Sequence, residues 1–169
     1  MRALAMTGMI EQAAIELEKI TPNEINDLIA VSKKVKKNSD FSFITSIDDF
    51  RFQLGNSKLV IETDQGIINH LLKNKSEFER LKDSALNEVK HSKIEPNNLI
   101  KKLAPDYRKL FISSVSYRNE CLDFSIGGML DNTVGYFYVK DKEGLPEMNL
   151  RDMIMVREIE DGWYLYKTT

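Results

Sequence analysis

The sequence predicts an α+β domain, a helical N-terminal half packed on a C-terminal antiparallel meander sheet in two layers. Three observations carry this. Up to residue 104, apolar residues recur at helical spacing with helix-start signals between the runs. After Pro105 the period becomes two, and turn residues punctuate the chain. The links between the later runs are too short for parallel crossovers, which need a dozen or more residues. Helices are expected mainly over residues 8–104 and strands over 108–169, in one domain spanning 1–169.

Ile10, Ala13, Ala14, Leu17 and Ile20 share one face of a first helix, with Glu11, Glu16, Glu18 and Lys19 toward water. Thr21-Pro22-Asn23-Glu24 then supplies a hydroxyl cap, a proline at the first helical position and a glutamate three residues after the cap. That second helix would bury Ile25, Leu28, Ile29 and Val35. Lys33, Lys34, Lys36 and Lys37 sit in its last turn, where cations meet the negative end of the helix dipole. Residues 40–54 fit neither period cleanly; the reading adopted is a short helix from Ile47, broken at Gly55-Asn56, with Leu59-Val60-Ile61 as a short strand.

Asp64 is placed as the cap of a helix with the stripe Ile67, Ile68, Leu71 and Leu72. Ser76 and Glu79 form a capping-box pattern before Phe78, Leu81, Ala85 and Val89. A last helix opens at Pro96, contains Leu99, Ile100 and Leu103, and ends before Pro105.

Five strands follow: Leu110 to Arg118, Cys121 to Ile126, Thr133 to Val139, Asp152 to Ile159 and Trp163 to Thr168. Asn119-Glu120, Gly127-Gly128, Asp131-Asn132, Asp141 to Gly144 and Asp161-Gly162 mark the turns, the last being a tight-hairpin dipeptide. This order of elements is similar, over residues 64–169, to the cone-shaped folds typified by nuclear transport factor two. The resemblance is one of architecture, and it implies helices lying in the concavity of a curved sheet.

With 42% hydrophobic and 30% charged residues and four prolines, the chain has the composition of a globular protein. A net charge of −2, with no basic face or tail, argues against a nucleic-acid partner. One cysteine, no ~20-residue apolar run and no signal-type leader point to a reducing, cytoplasmic setting without a membrane partner.

The sequence carries neither a recognisable catalytic set nor a cofactor motif. His70 and His91 fall on predicted helices as surface or boundary residues, and Cys121 reads as a small, partly buried strand side chain. No pair of histidines has metal-ligand spacing, and no phosphate loop is present. Pro105-Asp106 lacks the acidic-x-lysine triplet of a nuclease core. No catalytic residue, metal or cofactor is therefore assigned.

What remains is a concentration of aromatics in the sheet. Tyr136 and Tyr138 share one strand face with Phe137 on the other, and Trp163 opposes Tyr164 and Tyr166. Core packing on one side with cross-strand pairing on the other accounts for them. The sharper expectation makes Tyr136, Tyr138, Trp163, Tyr164 and Tyr166 a contact surface for another protein or a second copy, in a non-enzymatic accessory, inhibitor or immunity-type bacterial module. The alternative is a small-molecule-binding or enzymatic domain with a pocket between helices and sheet, holding Asp123 as an acid and a tyrosine as donor.

Overall fold

The computed structural model describes residues 19, 21, 23–27, 29–30, 46–91, 101–129, 132–147 and 153–168. The predicted first helix, the lysine run at 33–37 and the start of the Pro96 helix lie outside them. The chain forms two compact units, Met1–Ile61 and Glu62–Thr169.

In the first unit the capping box at Thr21 forms as the sequence predicts. Glu24 Oε2 accepts from the Thr21 backbone N–H at 2.8 Å, and Thr21 Oγ1 accepts from the Glu24 N–H at 3.4 Å. Helix α1 spans Ile47–Val60 behind an N-cap at Ser46, whose hydroxyl accepts from the Asp49 N–H at 3.0 Å. It runs through Gly55-Asn56, where a break was expected, and Leu59-Val60 is helical, not a strand. An interior glycine costs only about 1 kcal/mol, which a helix with buried residues on both sides of it tolerates. Phe52 and Leu59, seven residues apart on one face, are both buried, while Gly55-Asn56 occupies the stripe position between them and hides the period.

In the second unit α2 spans Asp64–Lys73 and α3 spans Lys75–His91. The cap of α2 is Thr63, one residue before the predicted Asp64, and its side chain accepts from the Gly66 N–H at 3.1 Å. Asp64 instead sits in the first turn, where its charge suits the helix dipole. Ile67, Ile68 and Leu71 are buried as the stripe predicts, whereas Leu72 is exposed. Glu79 closes no capping box; its carboxylate accepts from the Trp163 indole N–H at 2.7 Å and pairs with Lys82. A 3-10 turn, Lys101–Leu103, precedes a short helix α4, Ala104–Tyr107, which carries Pro105 in its first turn.

The sheet comprises β1 (Ser114–Arg118), β2 (Cys121–Met129), β3 (Asn132–Val139), β4 (Met153–Glu160) and β5 (Trp163–Thr168). All pairings are antiparallel, in the order β1-β2-β3-β5-β4. The α+β class is as predicted, but the meander holds only as far as β3. The connection over residues 140–152 is long enough to skip a place, so β4 takes the outer edge and β5 folds back between it and β3. Asn119 and Glu120 (φ 48° and 65°) and Asp161 and Gly162 (φ 49° and 82°) have the paired left-handed conformation of tight hairpins. Gly127-Gly128 lies inside β2 beside a bulge and is not a turn.

Helices α2 and α3 cover one face of this sheet. Phe78 of α3 meets Phe124, Tyr136 and Trp163 edge-on, with ring centroids 6.4, 5.3 and 5.7 Å away. Tyr136 reaches past them to donate its hydroxyl to the Ile67 carbonyl of α2 at 2.8 Å. At the margins, Lys75 of α3 pairs with Glu160 and Asp161 at the β4–β5 turn, and Lys167 bonds Asp64 at 2.5 Å.

Candidate functional site

Strand alternation splits the five aromatic candidates between the two faces. Tyr136 and Trp163 are fully buried under α2 and α3, and Tyr138 is half-buried on that face with the Lys82 ammonium 4.8 Å from its ring centre. Tyr164 and Tyr166 lie on the opposite face and are also buried. An aromatic contact surface needs accessible rings, and four of these five are interior. On the helix-covered face Phe78, Phe124, Tyr136 and Trp163 are buried against one another. A cavity lies on the other face.

That face carries a second apolar cluster of Cys121, Phe137, Val139, Tyr164 and Tyr166, with Leu145, Met153 and Val156 packed against it. Leu145 belongs to the segment that leaves β3 and folds back over the sheet. A short 3-10 turn, Lys142–Gly144, fixes this segment, and Lys142 pairs with Glu158 of β4 at 2.8 Å. The segment does not seal the face completely. Between it and strands β1, β2 and β3 remains a cavity of about 540 Å³, with Ser116, Cys121, Asp123 and Phe137 on the sheet side and residues 143–147 opposite. Arg118 and Asn119, both exposed, stand at its rim.

Asp123 is the chemical centre of the cavity. It stands directly across from Ser116 on β1 and Phe137 on β3. Its Oδ1 accepts from the Tyr166 hydroxyl at 2.8 Å, and the Ser116 hydroxyl also bonds it. Burial among apolar neighbours raises its pKa to about 6, against the opposing pull of those two hydroxyls and of Arg118. The carboxyl therefore changes charge at a pH of about 6, a perturbation common to groups in binding and catalytic sites. Tyr166, also bonded to Ser125, is held above the ordinary tyrosine range by burial and by the neighbouring carboxylate, so it stays a hydroxyl donor. Cys121, its pKa pushed up to about 12 by burial, remains a thiol and is no nucleophile here.

Gly135 makes the Asp123–Tyr166 bond reachable. Tyr166 pairs across the ladder with Gly135, and Gly135 with Ser125, so Asp123 is a diagonal neighbour two residues along β2. Because Gly135 has no side chain, the Tyr166 ring lies over it and stacks on Phe137, with centroids 4.0 Å apart and planes 12° apart. A Cβ there would come 2.8 Å from the Tyr166 Cε1 and hydroxyl and 2.6 Å from the Phe124 carbonyl oxygen. Gly135→Ala is accordingly expected to cost about 1–3 kcal/mol and to displace the tyrosine from Asp123. Urea unfolding measures the first effect, and loss of the shifted Asp123 titration by carbon-detected NMR the second.

The sequence pointed to Asp123 and to a tyrosine donor but missed Ser116, Arg118 and Gly135. A glycine inside an aromatic strand is a readable sign of close approach by a neighbour. His70 has a structural place: half-buried, it donates through Nε2 to the Leu110 carbonyl at 3.1 Å, and burial lowers its pKa. Among the described residues no group of three or more His, Cys, Asp or Glu side chains is placed to hold a metal ion, and no helix is long and apolar enough to cross a membrane. No family model, no curated protein and no solved structure matches the chain, so any functional reading rests on this geometry.

Proposed function

We propose that the Glu62–Thr169 unit is a binding module for a small organic molecule, taken up in the cavity on the sheet face turned away from α2 and α3. One observation carries the reading: a cavity of about 540 Å³ whose floor places a hydrogen-bonded carboxyl beside apolar walls. Small-molecule sites are concavities of roughly this size, mostly apolar, with a few convergent polar groups that orient the ligand. Phe137, Leu145 and Pro146 supply the apolar surface, and Ser116, Asp123 and Arg118 supply the polar groups. The other expectation from the sequence, a protein partner gripped by aromatic rings, has only half-buried Tyr138 to rest on.

Binding of millimolar fragments, followed by amide NMR shifts, tests this. Fragments are expected to move the amides of residues 116–123, 137, 143–145 and 147. Ser116→Phe, which fills the cavity from β1, should abolish those shifts while the amides of α2 and α3 keep their positions. Fragments that map only elsewhere, or that bind the filled variant equally well, would sink the reading.

A further inference from the structure

We infer that the molecule this cavity takes is an organic cation, an amine on a compact apolar body, which the Asp123 carboxylate receives at the floor. This rests on the small-molecule reading above and narrows it to one ligand class. Among the described residues the charges facing the cavity are unequal: Asp123 from β2 and Glu143 and Glu147 from the covering segment outnumber Arg118. The other described side chains around Asp123 carry no charge: Ser116 of β1, Cys121 and Ser125 of β2, Phe137 of β3 and Tyr166 of β5.

Hydrogen-bond capacity points the same way. An ionised carboxylate offers about four acceptor sites, and the Tyr166 and Ser116 hydroxyls occupy two, which leaves room for the N–H groups of an ammonium. An organic acid at the same depth would instead meet the like charge of the Asp123 carboxylate, on which Arg118 acts from the exposed rim. Phe137, Leu145 and Pro146 then enclose the apolar body. Since the ammonium needs Asp123 ionised, binding must weaken as the carboxyl takes up a proton, at a pH near the value of about 6 to which burial lifts it.

Phenethylamine, 2-phenylethanol and phenylacetate are matched probes of this idea, titrated into the full chain and followed by amide NMR at pH 7.5 and pH 5. The amine is expected to bind roughly tenfold more tightly than the alcohol at pH 7.5, the value of one charge-assisted hydrogen bond. That advantage should disappear at pH 5, and also in Asp123→Asn at pH 7.5. Alcohol or acid binding in the cavity as tightly as the amine would overturn the cation inference and leave the small-molecule reading standing. If none of the three moves a cavity amide, both fail. Where Asp123→Asn does not fold, the pH arm on the unaltered chain decides alone.

Discussion

Phe78→Ala is expected to lower the unfolding free energy by about 3–5 kcal/mol, a large part of the roughly 5–15 kcal/mol that holds a typical domain together. Phe78 is fully buried and joins α3 to three sheet strands at once, through Phe124 of β2, Tyr136 of β3 and Trp163 of β5. Truncation removes its transfer free energy and three edge-on ring contacts, and it leaves a void among rings that are themselves held. Tyr136 is tied to Ile67 by its hydroxyl and Trp163 to Glu79 by its indole N–H, so neither is free to swing in and fill the space. Phe78→Leu retains most of the volume and should cost well under half as much. Urea unfolding of the three proteins provides the check, and a loss below 1 kcal/mol for the alanine variant would mean that the core closes around the gap.

Asp123→Asn is expected to act in the opposite direction, raising stability at pH 7 by about 1–3 kcal/mol. The folded-state pKa of Asp123 stands at about 6, above the 3.8 of a free aspartate, because burial disfavours the charged form. Between these values the folded chain holds a proton that the unfolded chain has released. Stability from this group is thus fully present below pH 4, falls as pH rises toward 6, and stays lost above it. Asparagine has the same shape, carries no charge, and still presents an oxygen to the Tyr166 hydroxyl, so the variant escapes the penalty. The difference in unfolding free energy between variant and parent, measured from pH 4 to pH 7, should grow with pH and level off above about 6. A difference that does not change with pH would show that Asp123 is not the group responsible. A carboxylate retained at a cost to the fold is what a binding or proton-handling role would require.

Much of this architecture is legible residue by residue. The Thr21–Glu24 box, the Ile67–Leu71 stripe and the Asp161-Gly162 hairpin each depend on neighbours a few positions away, and each forms as its local chemistry dictates. Features decided at a distance are less visible. The α1 helix overrides Gly55 because its apolar stripe resumes at Leu59, and Glu79 leaves a capping role for an indole 84 residues away. The strand order depends on how far residues 140–152 travel, which their composition does not encode. The candidate site shows the same division. Asp123 and a tyrosine partner stand out by residue type, whereas the face of the sheet that holds them follows from the return of Leu145 across Phe137 and Val139.

The two outermost strands also bear on how the protein behaves when concentrated. An exposed sheet edge is a template onto which another chain can add a strand. Here β1 is only five residues long, and β4 departs from regular register at both ends, between Met153 and Met155 and between Glu158 and Glu160. The middle of β4 is lined by exposed Arg157 and Glu158, with Lys142 pinned to the glutamate from the covering segment. One border is thus short and the other irregular and charged, features that oppose edge-to-edge pairing in a sheet this rich in tyrosine, valine and isoleucine.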